Sequence, residues 1–396
     1  MHQLLRSSQS RSVPLSLKRD LRRQLLRGHP WLFSQAVHLP DGLKPGQRAL
    51  LTDKKGPLGM GFVDPESPLV FRMCALGTKA SLNDHWAQAT LEKAATLRAR
   101  SLPPQTDGFR LVNGEGDGLP GLVVDLYGKS GVVRFDGTGA REFYNPEGIA
   151  SWIMERFDLH HVLEKKRGSH ATPLAGSAPT ANVQFKENGL VFEADLIRGQ
   201  KTGFFLDQRD NRAHIQRMSQ NQDVLNLFSY TGGFSLYAAS GEASHVTSVD
   251  QARPAIKLAD RLFSLNGQTT PHSGVAGDVF DFLESAHAEK RQWDLVIVDP
   301  PSFAPSEKAV PQAVSAYTRV FTMAAKVCRP GGYLALASCS SHITDGHFEE
   351  IAQNAIGKAR RRACVLFKGG QPIDHPYPLA CPELKYLKFL GLRLVD

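Results

Sequence analysis

The residues that could do chemistry in this 396-residue sequence lie mostly in its second half. Cys339 stands in Ser338-Cys339-Ser340-Ser341-His342, directly after the apolar run Tyr333 to Ala337. An isolated cysteine is ordinarily a small buried hydrophobe, and Cys74, Cys328, Cys364 and Cys381 are read that way. Cys339 differs because it closes a strand and opens a polar loop, where a thiol can meet a ligand. A thiolate there could act as a nucleophile. Asp299-Pro300-Pro301-Ser302-Phe303 follows a second apolar strand, Asp294 to Val298. Its carboxylate could accept hydrogen bonds from a base amine or a protonated ring nitrogen. The prolines stiffen the loop and Phe303 offers a stacking face. The plain alternative for these residues is a rigid turn after a core strand. His342 is near Cys339 only in sequence and is not assigned the role of proton acceptor.

The elements that must position these groups begin at Asp223. The stretch Asp223 to Asp250 reads as strand, glycine turn, helix, strand and acid. Val224, Leu225, Leu227 and Phe228 form a short apolar run, as a strand buried on both faces would. Ser229-Tyr230-Thr231-Gly232-Gly233 turns the chain, and its glycines can take positive φ against a ligand. Asp250 ends the second strand, where an acid can accept hydrogen bonds from both ribose hydroxyls. Asp278 is placed to hold an adenine amine, or to cap the helix that starts at Val279. The turn lacks the G-x-G-x-x-G of a dinucleotide site, and no P-loop lysine is present. A nucleoside cofactor without a pyrophosphate fits better, and S-adenosylmethionine (SAM) is the candidate. Further strands are expected at about 245–249, 294–298 and 332–337, with helices between them. That alternation predicts a parallel α/β sheet. Ligands of such sheets bind at the carboxyl ends of the strands.

An Asp-Pro-Pro loop with a nearby aromatic is the mark of nucleobase and amino-group methyltransferases. A thiol beside it suggests cytosine carbon 5, which is not nucleophilic in the aromatic ring. Thiolate addition at carbon 6 makes carbon 5 an enamine carbon that can attack an electrophilic methyl group. Asp299 would orient the base and stabilise charge developing at nitrogen 3.

Composition sets the bounds. Hydrophobic residues are 41% and charged residues 22%, ordinary for a globular protein with a sizeable core. The length predicts two or three domains. No apolar run is long enough to span a bilayer, and the basic start lacks the apolar segment of a signal peptide. Five widely spaced cysteines without a C-x-x-C pair argue against a disulfide framework or a metal site, and for a reducing, cytoplasmic setting. The net charge of +8 points weakly to a polyanionic partner.

Residues 1–12 are expected to form a flexible tail. Lys18, Arg19, Arg22, Arg23 and Arg27 crowd a basic helix ended by Gly28-His29-Pro30, and are candidate phosphate contacts. Short strands separated by turns then suggest a small β-barrel. A helix over Asn83 to Arg100, capped by Ser81 or Asn83, leads into a glycine-punctuated β-rich stretch. Residues 165–181 read as a loop. Asn188-Gly189 predicts a type I′ hairpin.

RGHPWLFSQAV and GQRALLTDKKGPLGMGFVDPESPLVFRMCALG resemble a PUA domain, an RNA-binding pseudo-barrel, over roughly residues 13–78. The whole chain resembles the bacterial large-subunit ribosomal RNA methyltransferases of the RlmI type. NGEGDGLPGLVVD, GQKTGFFLDQRDNR, NLFSYTGGFSLYA, VDPPSF, SCSSH and DHPYPLACPELKYLK carry that resemblance. It implies a PUA-like domain (13–80), a linker helix with a β-rich central domain (81–189), and a class I Rossmann-like methyltransferase domain (190–396). It implies SAM held by Lys201, Phe204, Asp207, Gln208, Arg209, Asn226, Phe228, Tyr230, Thr231, Gly232, Asp250, Asp278, Asp299 and Pro300. Arg209 suits the methionyl carboxylate, with an ion pair to Asp207 or Asp210 as its alternative role. Cys339 and Asp299 are the implied catalytic pair, and Pro301 and Phe303 join the basic residues toward RNA. The implied reaction forms 5-methylcytosine in 23S rRNA through a cysteine adduct. The expected partner is ribosomal RNA or a large-subunit assembly intermediate, without a membrane, and with a homodimer as one oligomeric option. Two departures stand out. Ser302 occupies the place of the second cysteine found in two-cysteine relatives. HHVLEKKRGSHATPLAG lacks an Arg-Ser-Asp pattern found in relatives. Methylation at a guanine nitrogen, which needs no thiol, and a non-catalytic assembly factor are the competing readings.

Overall fold

A computed structural model of the chain describes residues 2–6, 12–78, 81–166 and 168–396. These form two compact units. One comprises Met1–Leu206 with Ile373–Leu384, the other Asp207–Pro372 with Lys385–Asp396.

The first unit begins with a six-stranded sheet ordered Trp31–Phe33, Leu69–Leu76, Gly56–Val63, Arg48–Asp53, Val13–Leu17, Val37–His38. Val13–Leu17 runs parallel to Arg48–Asp53, and the remaining pairs are antiparallel. Leu15, Leu25, Leu32, Val37, Leu51, Leu58 and Phe71 fill its interior. A second sheet of five strands runs Thr172–Gly176, His161–Glu164, Ser130–Phe135, Leu122–Tyr127, Gly108–Asn113. The helix Asp84–Ser101 packs with it, and Asn83 caps that helix by accepting from the Trp86 backbone N–H at 2.9 Å. The 165–181 stretch, expected as a loop, contributes the edge strand Thr172–Gly176. Val183–Glu187 and Leu190–Ala194 form the expected hairpin, with Asn188 and Gly189 both at positive φ (51° and 83°).

Two expectations about the first unit need correction. Residues 2–6 are not a loose tail. Leu4 and Leu5 are fully buried, and both their backbone N–H groups donate to Asp84 Oδ1. The remainder of that tail, residues 7–11, lies outside the described residues. The basic helix is also shorter than expected, spanning only Arg22–Leu26, so Lys18 and Arg19 belong to the turn before it.

The NGEGDG motif is structural in this unit. Arg98 is buried and forks onto Asp117, with its Nη2 at 2.8 Å from Oδ2. Arg98 also donates to the Asp374 carbonyl at 2.7 Å, and Asp374 Oδ2 accepts from the Arg110 N–H at 3.0 Å. Gly116 passes so close to Pro376 that a Cβ would lie 1.8 Å from its carbonyl oxygen. These bonds explain why residues 373–384 belong with the first unit although they follow most of the second.

The second unit is organised by one seven-stranded sheet. Its strands are β1 (Asp223–Leu227), β2 (His245–Asp250), β3 (His272–Ala276), β4 (Trp293–Val298), β5 (Cys328–Ser338), β6 (Ala363–Gly369) and β7 (Lys388–Leu394). The order is β3-β2-β1-β4-β5-β7-β6, with β7 antiparallel to both of its neighbours and all other pairs parallel. Leu225, Leu227, Val296, Val298, Leu334 and Leu336 bury their side chains between sheet and helices. Each such side chain stabilises the fold by roughly 1.5–3 kcal/mol. The order reverses between β1 and β4, and a ligand crevice is expected outside the carboxyl ends at that point. Among the described residues, no helix is long and apolar enough to cross a membrane.

Candidate active site

The carboxyl ends of β1 to β5 carry most of the residues that sequence reasoning singled out in this unit, while Asp207, Gln208 and Arg209 precede β1. After β1 the chain makes a strained turn. Phe228 (φ 56°), Tyr230 (φ 46°) and Gly232 (φ 76°) all have left-handed backbone conformations. Gly233, expected to share that conformation, is instead the first residue of the helix Gly233–Ser240. A left-handed aromatic costs about 1–2 kcal/mol, and such strain concentrates where a backbone must present itself to a ligand.

The turn is tied to β2 by its acid. Asp250 Oδ2 accepts from the Tyr230 N–H and Oδ1 from the Ala252 N–H, both at 2.8 Å. Each oxygen keeps a lone pair for a further donor. Asn226 on β1 heads a buried chain of hydrogen bonds. Its Nδ2 donates to Ser235 Oγ at 2.8 Å, which meets Ser248 Oγ at 2.6 Å, which meets His272 Nε2 at 2.7 Å. His272 Nδ1 ends the chain on Asp260 at 2.8 Å.

Three buried polar atoms on this turn have no partner among the described residues: Asn226 Oδ1, Ser229 Oγ and Thr231 Oγ1. An unsatisfied buried polar group costs roughly 1–3 kcal/mol, so native structures rarely leave several together without a reason. One acceptor and two hydroxyls beside a ribose-ready carboxylate fit a nucleoside bearing an amino-acid tail, as SAM does.

Asp278 takes the capping role weighed for it. Its Oδ1 caps the helix Val279–Ala288 by accepting from the Phe280 and Asp281 N–H groups, while Oδ2 accepts from Gln251 Nε2 at 2.8 Å. The capping role is therefore real. Arg209 likewise shows its alternative role. It is fully buried, and its Nε lies 3.2 Å from Asp210 Oδ1.

Asp299, at the end of β4, is held by Gln208. The Gln208 Nε2 donates to Asp299 Oδ2 at 2.9 Å, and Gln208 Oε1 accepts from Asn211 Nδ2 at 2.6 Å. The Tyr386 hydroxyl donates to Asp207 Oδ2 at 2.7 Å. The DQRDN segment thus supports the Asp299 loop from behind. Asn211 and Tyr386 were missed in the sequence, although both stand in motifs that looked distinctive.

The Asp299 and Cys339 loops are bonded to each other. Ser302 Oγ meets Ser340 Oγ at 2.9 Å, and the Tyr317 hydroxyl bonds both Ser338 Oγ and Ser340 Oγ at 3.0 Å. Phe303 packs 4.8 Å from the Tyr317 ring, Pro300 is buried and Pro301 is exposed. The serine that replaces a second cysteine is thus part of the lock between the loops. Cys339 is half-buried, whereas burial pushes the Cys328 thiol up to about 12. Cys364, expected to be a buried hydrophobe, is exposed.

The remaining candidates lie in the first unit. Phe204 is buried against Phe185 and Phe192, with ring centroids at 5.2 and 5.0 Å. The Lys201 ammonium lies over the Phe205 ring at 4.3 Å. Lys18, Arg19, Arg23 and Arg27 are exposed, while Arg22 is paired with Asp53 at 2.7 Å. His29, Cys381 and Glu383 bring their ligand atoms within 4.8 Å of one another, closer than the expectation of no metal site would suggest. The Trp31 N–H faces His29 Nδ1 at 3.4 Å, and burial first, then Glu383, push the Cys381 thiol up to about 12. Both features work against a bound metal.

Comparison with known proteins decides the family. A model of S-adenosylmethionine-dependent methyltransferases matches residues 148–359, and one of PUA-like domains matches residues 15–75. A ribosomal RNA large subunit methyltransferase of Deinococcus radiodurans is 38% identical over 386 residues, covering 93% of this chain and 94% of that one. Ribosomal RNA large subunit methyltransferase I of Alteromonas mediterranea is 34% identical, covering 98% of this chain and all of its own. The chain belongs to this family of SAM-dependent methyltransferases. The fold agrees. A solved methyltransferase complexed with S-adenosylhomocysteine (SAH) superposes with a TM-score of 0.84 at 25% identity, covering 96% of this chain and 100% of its own. A SAM-dependent methyltransferase structure from Streptococcus mutans gives 0.83 over the same shares. The methyltransferase sheet, the PUA-like barrel and the SAM cofactor expected from the sequence are therefore correct.

Proposed function

We propose that this methyltransferase acts on ribosomal RNA of the large subunit and methylates carbon 5 of a cytosine, with Cys339 as a transient nucleophile. The carrying observation is the bonded pair of loops that sets Asp299 and Cys339 at the ends of adjacent strands, β4 and β5. Full-length similarity to ribosomal RNA large subunit methyltransferases I supports the substrate class.

Asp250 would hold the ribose hydroxyls of SAM, and the open atoms of Asn226, Ser229 and Thr231 its remaining polar groups. SAM supplies an electrophilic methyl group on a sulfonium. The chain's residues make the cytosine able to accept it. The Cys339 thiolate adds to carbon 6, and the carbon 5–carbon 6 π pair becomes available at carbon 5. Asp299, oriented by Gln208, faces the base and stabilises charge at nitrogen 3. After methylation, loss of the carbon-5 proton lets the carbon 6–sulfur bond break and returns the thiolate.

The test is Cys339→Ala. It should bind SAH as the wild type does while losing methylation by a factor of at least about 10³. Nucleoside mass spectrometry of RNA treated with the wild type should show 5-methylcytosine. A methylated guanine, with full activity in Cys339→Ala, would instead identify a guanine-nitrogen enzyme. A chain that binds no SAM would point to an assembly factor.

A further inference from the structure

Lys388 is a buried lysine beside the proposed nucleophile. It is only 3% exposed, on β7, and pairs in register with Ser338 of β5, the residue before Cys339. Its Nζ donates to the carbonyl of Ser340, the residue after Cys339, at 2.5 Å, and to the carbonyl of Tyr386 at 2.8 Å. The ammonium therefore braces the backbone just after the thiol, while the strand pairing of Lys388 holds the residue just before it. No carboxylate forms an ion pair with it among the described residues. Asp345, which reaches it electrostatically, is itself paired with Lys385 at 2.6 Å. Burying a cation without a carboxylate is costly.

We propose that Lys388 is a positioning residue that keeps Cys339 as a thiolate, its ammonium serving as the counter-charge of the nucleophile. On ionisation the thiol proton leaves to solvent, and no other bond is made or broken. Among the described residues, the charged or titratable groups that reach the pair include Asp345 and Lys385 toward the amine and the Tyr317 hydroxyl toward the thiol. Burial pushes the Lys388 amine down to about 8, with Cys339 and Asp345 pulling it back up. At neutral pH the amine thus keeps its charge. Elsewhere burial dominates: it raises the Cys328 thiol despite Arg361 and Arg329, and it raises Cys381 together with Glu383. The catalytic use of this thiolate rests on the reading of Cys339 as the nucleophile, but its ionisation can be measured without RNA.

The experiment is alkylation of the full-length protein with iodoacetamide over a pH series, resolved at Cys339 by peptide mass spectrometry. The Lys388→Met and Lys388→Gln proteins should show a midpoint raised by about one pH unit, with roughly tenfold slower alkylation near neutral pH. Lys388→Arg should restore the wild-type midpoint. Glutamine retains donors for the two carbonyls without the charge, so it decides the matter if the methionine variant fails to fold. Identical midpoints in folded wild type and Lys388→Gln would overturn the assignment. A Cys339→Ala protein that methylates normally would instead remove the covalent reading while leaving the midpoint comparison intact.

Discussion

The backbone N–H of Tyr230 donates to Asp250 Oδ2 at 2.8 Å, binding the left-handed turn after β1 to the acid at the end of β2. One carboxylate therefore holds the turn in its strained form, and in the proposed site the same group would meet the ribose. Positive φ at Phe228 and Tyr230 persists because this bond, the Ala252 N–H bond and the buried serine chain behind Asn226 over-determine it.

Replacing Asp250 by alanine should weaken SAH binding about 10- to 100-fold, from the loss of charge-assisted hydrogen bonding worth roughly 1.5–3 kcal/mol in total. Isothermal titration calorimetry measures this directly. The variant should also unfold at lower denaturant concentration, because the N–H groups of Tyr230 and Ala252 lose their acceptor. Unchanged SAH affinity would remove Asp250 from the cofactor site.

Gly232→Ala should be costly for two separate reasons. The residue has φ 76°, and an added Cβ would meet the Ala259 Cβ at 2.7 Å. The left-handed backbone costs a non-glycine about 1–2 kcal/mol, and the overlap adds about 1–3 kcal/mol. Urea denaturation should show a loss of about 2–5 kcal/mol with an unchanged m-value. Saturating SAH should not restore wild-type stability, since the clash is with the protein itself.

Much of this geometry was legible in the sequence. The apolar runs that form β1, β2 and β4 are short and bounded by turn residues, so their place and parallel direction follow from pattern, while the order of the strands does not. Asp250, Asp278, Asp299 and Cys339 were found because each closes such a run. What was not legible depends on long-range pairing. Glycine propensity put the left-handed positions on Gly232 and Gly233, whereas the turn places two of them on aromatics. Lys388 stands in LKYLKFLGLRL, where alternation with apolar residues suggests an exposed side chain. It is buried because β7 inserts between β5 and β6, which no local pattern announces. The return of residues 373–384 to the first unit hangs on Arg98 and Asp117, far away in sequence. The burial of Leu4 and Leu5 was hidden by the polar residues around them.

Lys388→Met should change how stability depends on pH. Burial lowers this amine from 10.5 to about 8. Between those values the unfolded chain binds more protons than the folded one, so wild-type stability rises with pH across that window. Below about 8 the full penalty of burying the ammonium is present. The methionine variant carries no such penalty, but it leaves the Ser340 and Tyr386 carbonyls without their donor. Its stability relative to wild type should therefore fall as pH rises from about 8 toward 10.5, by on the order of 2 kcal/mol after discounting for solvent screening. Thermal melts of both proteins over that range test the sign. A relative stability that rises with pH would mean the amine is not depressed.

RNA binding should depend on the exposed basic residues beside the short Arg22–Leu26 helix, and not equally on all of them. Arg23 and Arg27 are exposed, whereas Arg22 is committed to Asp53 at 2.7 Å. Affinity for large-subunit ribosomal RNA should fall linearly with log salt concentration as counterions are released. Arg23→Ala and Arg27→Ala should each reduce that slope by about one and weaken binding across RNA sequences alike. Arg22→Ala should change the slope less and lower stability instead, because it strands Asp53, whose carboxyl is held below its ordinary range by Arg22 and Lys55 against the opposing effect of desolvation. Filter binding over a salt series separates these outcomes. Equal slopes for wild type and Arg23→Ala/Arg27→Ala would show that the phosphates bind elsewhere on the chain.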